Sequence, residues 1–311
     1  QAAGSFARNF THNPKNDLLS GLTVALALVP EAVAFSFVAG VDPLVGLYGA
    51  FMMGLVTSLL GGRPGMISGA TGAMAIVMVH LIQKGNEVGL ELDSPIQNLG
   101  LQWLFITLLL VGSIQILAGV FKLGKFVRLI PHPVMMGFVN GLAIVIFIAQ
   151  LGMFKETVNG EKEWLEGIQL YTMIGLVGLT MLIMWGLPKL TKKIPAALTA
   201  IIVVAAITIF GDVDVSTVGS FIRDGGGKGL EGGLPQFQFQ IFTLIDTIVG
   251  HWELVVSTAF LLAAVGLIES LMTLNLIDEM TDTRGSGNRE CVAQGRSEEQ
   301  RLNSSHVAIS Y

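Results

Sequence analysis

The chain has 311 residues, of which 52% are hydrophobic and 13% charged, and a formal net charge of −5. Ordinary soluble domains carry about 25% charged residues, so the composition points to a polytopic membrane protein, all-α in class, and gives no basis for nucleic-acid binding. A single cysteine, Cys291, excludes both an internal disulfide framework and a cysteine-based zinc site.

Gln1 to Asn16 is a polar lead without a cleavable signal peptide. Asp17 is the expected N-cap of span one, Leu18 to Ala39, which Pro30-Glu31 interrupts near its middle. Val41-Asp42-Pro43 turns the chain into span two, Leu44 to Leu60. The tight loop Gly61 to Gly65 leads into Met66-Ile67-Ser68-Gly69-Ala70-Thr71-Gly72-Ala73-Met74. The apolar segment opened there, Ala73 to Leu81, is too short to cross a bilayer, since a full crossing takes about 20 apolar residues. Span three is therefore predicted to be broken, with extended backbone followed by a short helix ending at His80, and Lys84 to Pro95 reads as an acidic loop. Uncharged Ile96 to Phe121 supplies span four, and Leu129 to Phe154 contains span five. A charged loop, Lys155 to Glu166, precedes span six, Gly167 to Pro188, and span seven, Ile194 to Gly211. Asp212 to Gln240 is a polar, glycine-rich loop, and amphipathic Ile241 to Trp252 suits the membrane interface. Leu254 to Ile277 is the eighth apolar segment, with Glu269 in its interior.

Cationic side chains set the orientation. Alternate loops, counted from the N-terminus, hold Arg8, Lys15, Arg63, Lys122, Lys125, Arg128, Lys189, Lys192, Lys193, Arg284 and Arg289. The opposite loops hold only Lys84, Lys155, Lys162, Arg223 and Lys228. The bias predicts a cytoplasmic N-terminal lead, residues 1–16, followed by a transmembrane transport domain, residues 17–295, in the plasma (inner) membrane. Residues 296–311 begin Arg296-Ser297-Glu298-Glu299, resemble nothing before them, and read as a non-native tail translated from an adapter sequence.

The segment 66–74 has two readings. Irregular backbone at membrane depth survives where protein or a water-filled cavity surrounds it. A helix starting there aims unpaired N–H groups and a positive dipole end at that cavity, which suits an anion. The same small residues also suit a close-packing face between helices. Two carboxylates, Glu31 and Glu269, lie inside apolar spans, where a charge costs at least about 2.5–3.5 kcal/mol and normally has a role. Thr273 follows Glu269 by one helical turn, so the two share a face able to bind Na+ or to pass a proton. Pro30 to Phe35 and Leu267 to Met272 echo each other weakly, each placing Glu midway along a span, as inverted-repeat transporters do. Gln115, Asn140 and Gln150 are expected to hydrogen-bond between helices. No nucleophile–base pair or metal-ligand spacing appears, which argues against an enzyme and against any cofactor beyond a coupling ion.

Four stretches together resemble the SulP (sulfate permease) family of inorganic anion transporters. They are Val29 to Phe35 with Ala39 to Tyr48, Ile67 to Gly72, Leu123 to Phe138, and Glu269 to Thr273 with Asp282 to Gly295. The resemblance implies two inverted halves of seven segments, of which this chain would hold the first half plus segment eight, and a homodimer when full-length. It implies an anion site at Ser68, Gly69, Ala70, Thr71, Gly72 and Phe35. It implies a coupling-ion site, for Na+ or H+, at Glu269 and Thr273, with Na+ held by those two; Glu31, a carboxylate inside a span where many members have Gln, is a further candidate for that site. Relatives with Na+ coupling carry Asp where this chain has Glu269, which leaves proton coupling open. The implied function is secondary transport of sulfate or bicarbonate by symport or exchange. A channel-like or non-transporting membrane scaffold is the alternative, as is a nucleobase transporter of the same general fold. A chain ending after segment eight is expected to insert without transporting by itself.

Overall fold

The computed structural model describes residues 14–61, 63, 65–69, 71–92, 96, 98–125, 132–158, 161–191, 196–211, 213, 215, 248–282 and 284–301. In chain order these form α1 (Pro14–Ala39), α2 (Pro43–Leu60), α3 (Gly72–Glu91), α4 (Leu99–Val120) and α5 (His132–Leu151). A single 3-10 turn, Gly152–Phe154, leads to β1 (Lys155–Val158) and β2 (Glu161–Trp164). Then come α6 (Gly167–Leu190), α7 (Ala196–Phe210), α8 (Trp252–Thr281) and α9 (Gly287–Arg301). The predicted lead before residue 14, most of the loop Asp212 to Gln240, the amphipathic stretch up to residue 247 and the tail beyond 301 lie outside the described residues. The boundary expected after Gly295 falls inside α9.

Among the described residues, five helical stretches are long and apolar enough to cross a membrane: 17–39 of α1, α2, α4, α6 and α8. Shorter apolar stretches lie in α5 and α7. Helix α3 is absent from that set; its first half is apolar and its second half carries Lys84, Asn86, Glu87 and Glu91.

Several local expectations are corrected. Helix α3 does not end at His80, and Lys84 to Glu91 is helix, not loop. Its second half is held by packing: Gly85 lies against Gly100, and Gly89 against Leu99. Lys84 and Glu87, exposed and three residues apart, pair at 3.0 Å. Helix α1 runs unbroken through Pro30 and starts ahead of Asp17, which sits in its first turn instead of capping it. Proline's φ fits a helix, and the hydrogen bond it deletes is tolerated in a span where neighbours re-satisfy the freed carbonyl. Asp42, read as part of a turn, is a true cap: its Oδ1 accepts the Leu44 N–H at 2.7 Å. The charged loop 155–166 is an antiparallel hairpin pairing Lys155 with Trp164 and Val158 with Glu161. Its sequence signal was Asn159-Gly160 between two short runs.

The chain divides into two compact units. One comprises residues 1–31 and 152–221. In it α6 packs on α7, and no residue of α6 is buried. A helix apolar on every side with no buried residue suits contact with lipid. Near its end the Lys189 ammonium sits 3.0 Å from the centre of the Trp185 ring, an amphipathic pair fitted to a membrane boundary.

The second unit comprises residues 32–151 and 222–311. Its centre is α4, whose Trp103, Phe105, Leu108 and Val111 are buried against Met74, Met78 and Leu81 of α3 and Val255, Ala259 and Leu262 of α8. Glycines bring the backbones together, with Gly100 against Ile82 and Gly119 against Val292. Asn98, ahead of α4, adopts φ +58° and offers no side-chain cap; Asn86 Oδ1 instead accepts the Gly100 N–H at 3.0 Å. Polar α9 lies along α4 and α2. There the Ser270 hydroxyl donates to the buried Glu290 carboxylate at 2.7 Å, and Gln294 Nε2 points at Met53 Sδ at 3.8 Å. Hydroxyls inside spans donate to carbonyls one turn back, Ser36 to Ala32 and Thr57 to Met53, which satisfies them without water.

Candidate functional site

The site begins with an anchor. The Arg63 guanidinium donates to the Asp278 carboxylate and, at 2.7 Å, to the Thr281 hydroxyl. The same carboxylate accepts the Gly285 N–H at 2.8 Å. Both partners are largely shielded from solvent, and stranding one charge of such a pair costs about 3–5 kcal/mol. The loop before residue 66 is thereby tied to the end of α8.

From this anchor the described backbone runs without helix through Met66 to Gly69 and is extended at Thr71, φ −123° and ψ 142°. Ala70 lies outside the described residues. Thr71 is the N-cap of α3: its carbonyl accepts the Ala75 N–H at 3.1 Å, and its Oγ1 faces the Met74 N–H at 3.4 Å. The cap leaves Gly72 and Ala73 N–H groups with no acceptor inside the helix, next to its positive dipole end. A side chain at Gly72 would meet the Phe35 and Ile146 side chains, so the helix start fits closely under the Phe35 ring.

A cavity of about 50 Å³ opens beside this start, lined by Phe35, Ser36, Gly46, Thr71 and Met74 among others. At about 10–15 Å³ for each water-sized group, it holds about four such groups. Two of its walls were missed in the sequence. Ser36 follows Phe35 directly, but its hydroxyl is hidden on the Ala32 carbonyl. Gly46 is essential to the close fit, since a Cβ there would overlap Ser36 Oγ and press on the Ala32 carbonyl.

Glu269 is half-buried on α8, with the Thr71 side chain beside its carboxylate. The structure thus joins the two predicted sites through one residue. Thr71 belongs both to the helix start and to the carboxylate's surroundings. Thr273 is exposed and donates its hydroxyl to the Glu269 carbonyl at 3.0 Å, along its own helix. Glu31 is exposed on α1, so the echo between its segment and that of Glu269 does not extend to environment. Asn140 is exposed. Gln115, expected to bond between helices, is fully buried, and neither of its amide atoms has a partner among the described residues.

Cys291 lies behind the site on α9 and is buried. Burial, then the neighbouring Glu290 charge, push its thiol up to about 11. A rise from 9.0 leaves roughly 100-fold less thiolate at neutral pH. The native protein is therefore expected to resist maleimide reagents from either side of the membrane and to react fully only after unfolding in detergent. Rapid labelling of native vesicles, sealed or opened, would contradict this packing. Cys291 accordingly reports burial and not sidedness.

The sulfate permease family model matches residues 15–298. The chain is 41% identical over 286 residues to the putative sulfate transporter YbaR of Bacillus subtilis, covering 91% of this chain and 52% of that protein. It is 31% identical over 297 residues to the bicarbonate transporter BicA of Synechocystis, covering 91% and 49%. The transmembrane domain of a cyanobacterium bicarbonate transporter BicA superposes with a TM-score of 0.74 at 28% identity, over 94% of this chain and 73% of that one. Murine Slc26a9 in the inward-facing state shares the fold, with a TM-score of 0.66 at 20% identity, over 93% of this chain and 50% of that one. The chain spans about half the length of the curated relatives it matches.

Proposed function

The chain belongs to the sulfate permease family, and from that premise we propose that it carries the anion-binding segment and the coupling group of a secondary active transporter. The substrate is a small inorganic anion, sulfate or bicarbonate first, moved by Na+ or H+ symport or by exchange. The observation that carries this reading is the approach of Thr71, at the start of α3, to the Glu269 carboxylate. The names of the relatives support the substrate class, and a cavity with room for about four water-sized groups is comparable to four-atom bicarbonate or five-atom sulfate.

The chemistry is a competition for one positive helix end. With Glu269 ionised, its own carboxylate draws on Thr71 and on the dipole of α3, and it repels an incoming anion. A cation or proton at Glu269 cancels that charge, freeing the Thr71 hydroxyl and the Gly72 and Ala73 N–H groups for the substrate. Ion and anion then favour each other's binding by the same factor. Ser68 and Gly69 supply the approach, and Phe35 closes the cavity on the side of Gly72. The bias in cationic loops supports a cytoplasmic N-terminus in the plasma membrane, and a homodimer is the assembly we expect.

Thr71→Trp is the direct test. The indole fills a cavity of about 50 Å³ and removes the hydroxyl. Introduced into the full-length transporter, the variant is expected to reach the membrane in normal amount and to show no saturable uptake of radiolabelled sulfate or bicarbonate in proteoliposomes. Normal affinity in that variant would favour a packing role for the segment, and conductance without saturation in the parent would favour a channel.

A further inference from the structure

Two buried polar groups without partners among the described residues lie along one helical turn of α8, where α3 and α4 pack on it. Glu269 Oε2 is buried without a hydrogen-bond partner among the described residues, although the Thr71 side chain lies beside the carboxylate. Gln115, 0% exposed, leaves both Oε1 and Nε2 unpartnered. The amide end of Gln115 lies against Gly266, one helical turn before Glu269: a Cβ built at Gly266 would stand 3.0 Å from Nε2 and 3.4 Å from Met74 Sδ. Gly266 therefore admits the amide, and Met74 is the residue whose N–H faces Thr71. Residues three apart on a helix have neighbouring side chains, about 5–6 Å between Cβ atoms.

Leaving a buried amide unpaired is costly, and apolar side chains of the same shape avoid that cost. A purely structural position between Met74 and Gly266 would be better filled by Met or Leu. Thr273, the other oxygen expected beside Glu269, is exposed, and donating its proton to the Glu269 carbonyl leaves its oxygen lone pairs free, so a second, buried oxygen would add to it. A carboxamide presents a neutral oxygen from a fixed stem, the kind of ligand hard cations take alongside a carboxylate.

We infer that Gln115 of α4 is a ligand of the coupling cation, supplying its carboxamide oxygen to a Na+ ion held by Glu269 Oε2 between α3, α4 and α8. This rests on the reading of Glu269 as the coupling group. It assigns part of the cation preference to span four, a helix that contributes no charge to the site, beside the carboxylate and hydroxyl of α8.

The test follows the thermal stability of the purified, intact transporter against NaCl, with choline chloride holding chloride and ionic strength constant. A ligand that binds only the folded state raises Tm with a half-saturation set by its Kd. Gln115→Met keeps the shape, removes the oxygen, and is expected to raise the half-saturating Na+ concentration at least tenfold. Gln115→Glu keeps an oxygen there, adds charge, and is expected to lower it. A Gln115→Met variant within twofold of the parent overturns the inference. Should that variant not purify folded, Gln115→Glu decides, since an unchanged Na+ response overturns the inference and a tighter one supports it. The Glu269→Gln variant separates the two ideas. Loss of the Na+ response there, with Gln115→Met unaffected, sinks the role of Gln115 alone. A Na+ response that survives Glu269→Gln sinks the coupling role of Glu269. A parent that responds to pH but not to Na+, with that response lost in Glu269→Gln, also overturns the Gln115 inference and leaves Glu269 as a proton site.

Discussion

In the full-length transporter, Glu269→Gln is expected to abolish ion-driven accumulation of the anion while sparing membrane insertion and anion exchange. The substitution is nearly isosteric, and a glutamine oxygen still accepts from the Thr71 hydroxyl beside it. What it removes is the charge that competes with the substrate for the start of α3. Anion affinity in the variant should then resemble that of the ion-loaded parent at every ion concentration. Coupling between two sites is typically worth about 1–3 kcal/mol, or 5–150-fold in affinity. That factor should fall to about one. The measurement is the half-saturating concentration of sulfate and of bicarbonate in proteoliposomes, at low and high Na+ and at two pH values. A variant that keeps the parent's ion dependence would mean that the coupling ion binds elsewhere.

Gly100→Leu is expected to cost about 3 kcal/mol or more and to remove the folded protein from detergent extracts. A Cβ at this position would overlap the Ile82 carbonyl oxygen, and the Gly100 backbone already touches Gly85. No side-chain rotation relieves a clash between a Cβ and a backbone, so α3 and α4 must separate. The Asn86 contact to the Gly100 N–H and the packing of Trp103 would go with it. Separation also carries the start of α3, and with it Thr71, away from the rest of the site. Gly137→Leu is the control, since nothing lies within 4 Å of a Cβ built there. It should leave the elution profile and the melting temperature close to the parent's. A Gly100→Leu protein with a parental profile would show that α3 and α4 do not approach as closely as described.

Particular residues show how much was legible beforehand. The apolar runs of spans two, four, six and eight became helices with nearly the expected bounds, because hydropathy over about 20 residues is a local property. The break before Thr71 was legible for the same reason: the segment ahead of it is rich in small and polar residues. The far end of α3 was not, because Lys84 to Glu91 reads as polar loop until Gly85 and Gly89 are seen pressed against α4. The hairpin after α5 carried its signal in Asn159-Gly160, obscured by the charged residues around it.

The sequence by itself determined the helical membrane class, most of the apolar helices, the irregular backbone ahead of Thr71 and a short list of candidates that included Thr71, Phe35 and Glu269. Those follow from transfer free energies and backbone chemistry, which act residue by residue. Only the tertiary structure decided that Thr71 lies beside Glu269, that Thr273 turns to its own helix while Glu31 is exposed, and that Gln115 is buried without a partner among the described residues. Each of those depends on which faces of α3, α4 and α8 meet. That is set by small residues such as Gly100 and Gly266, whose effect is the space they leave for another helix, and no local pattern records who fills it.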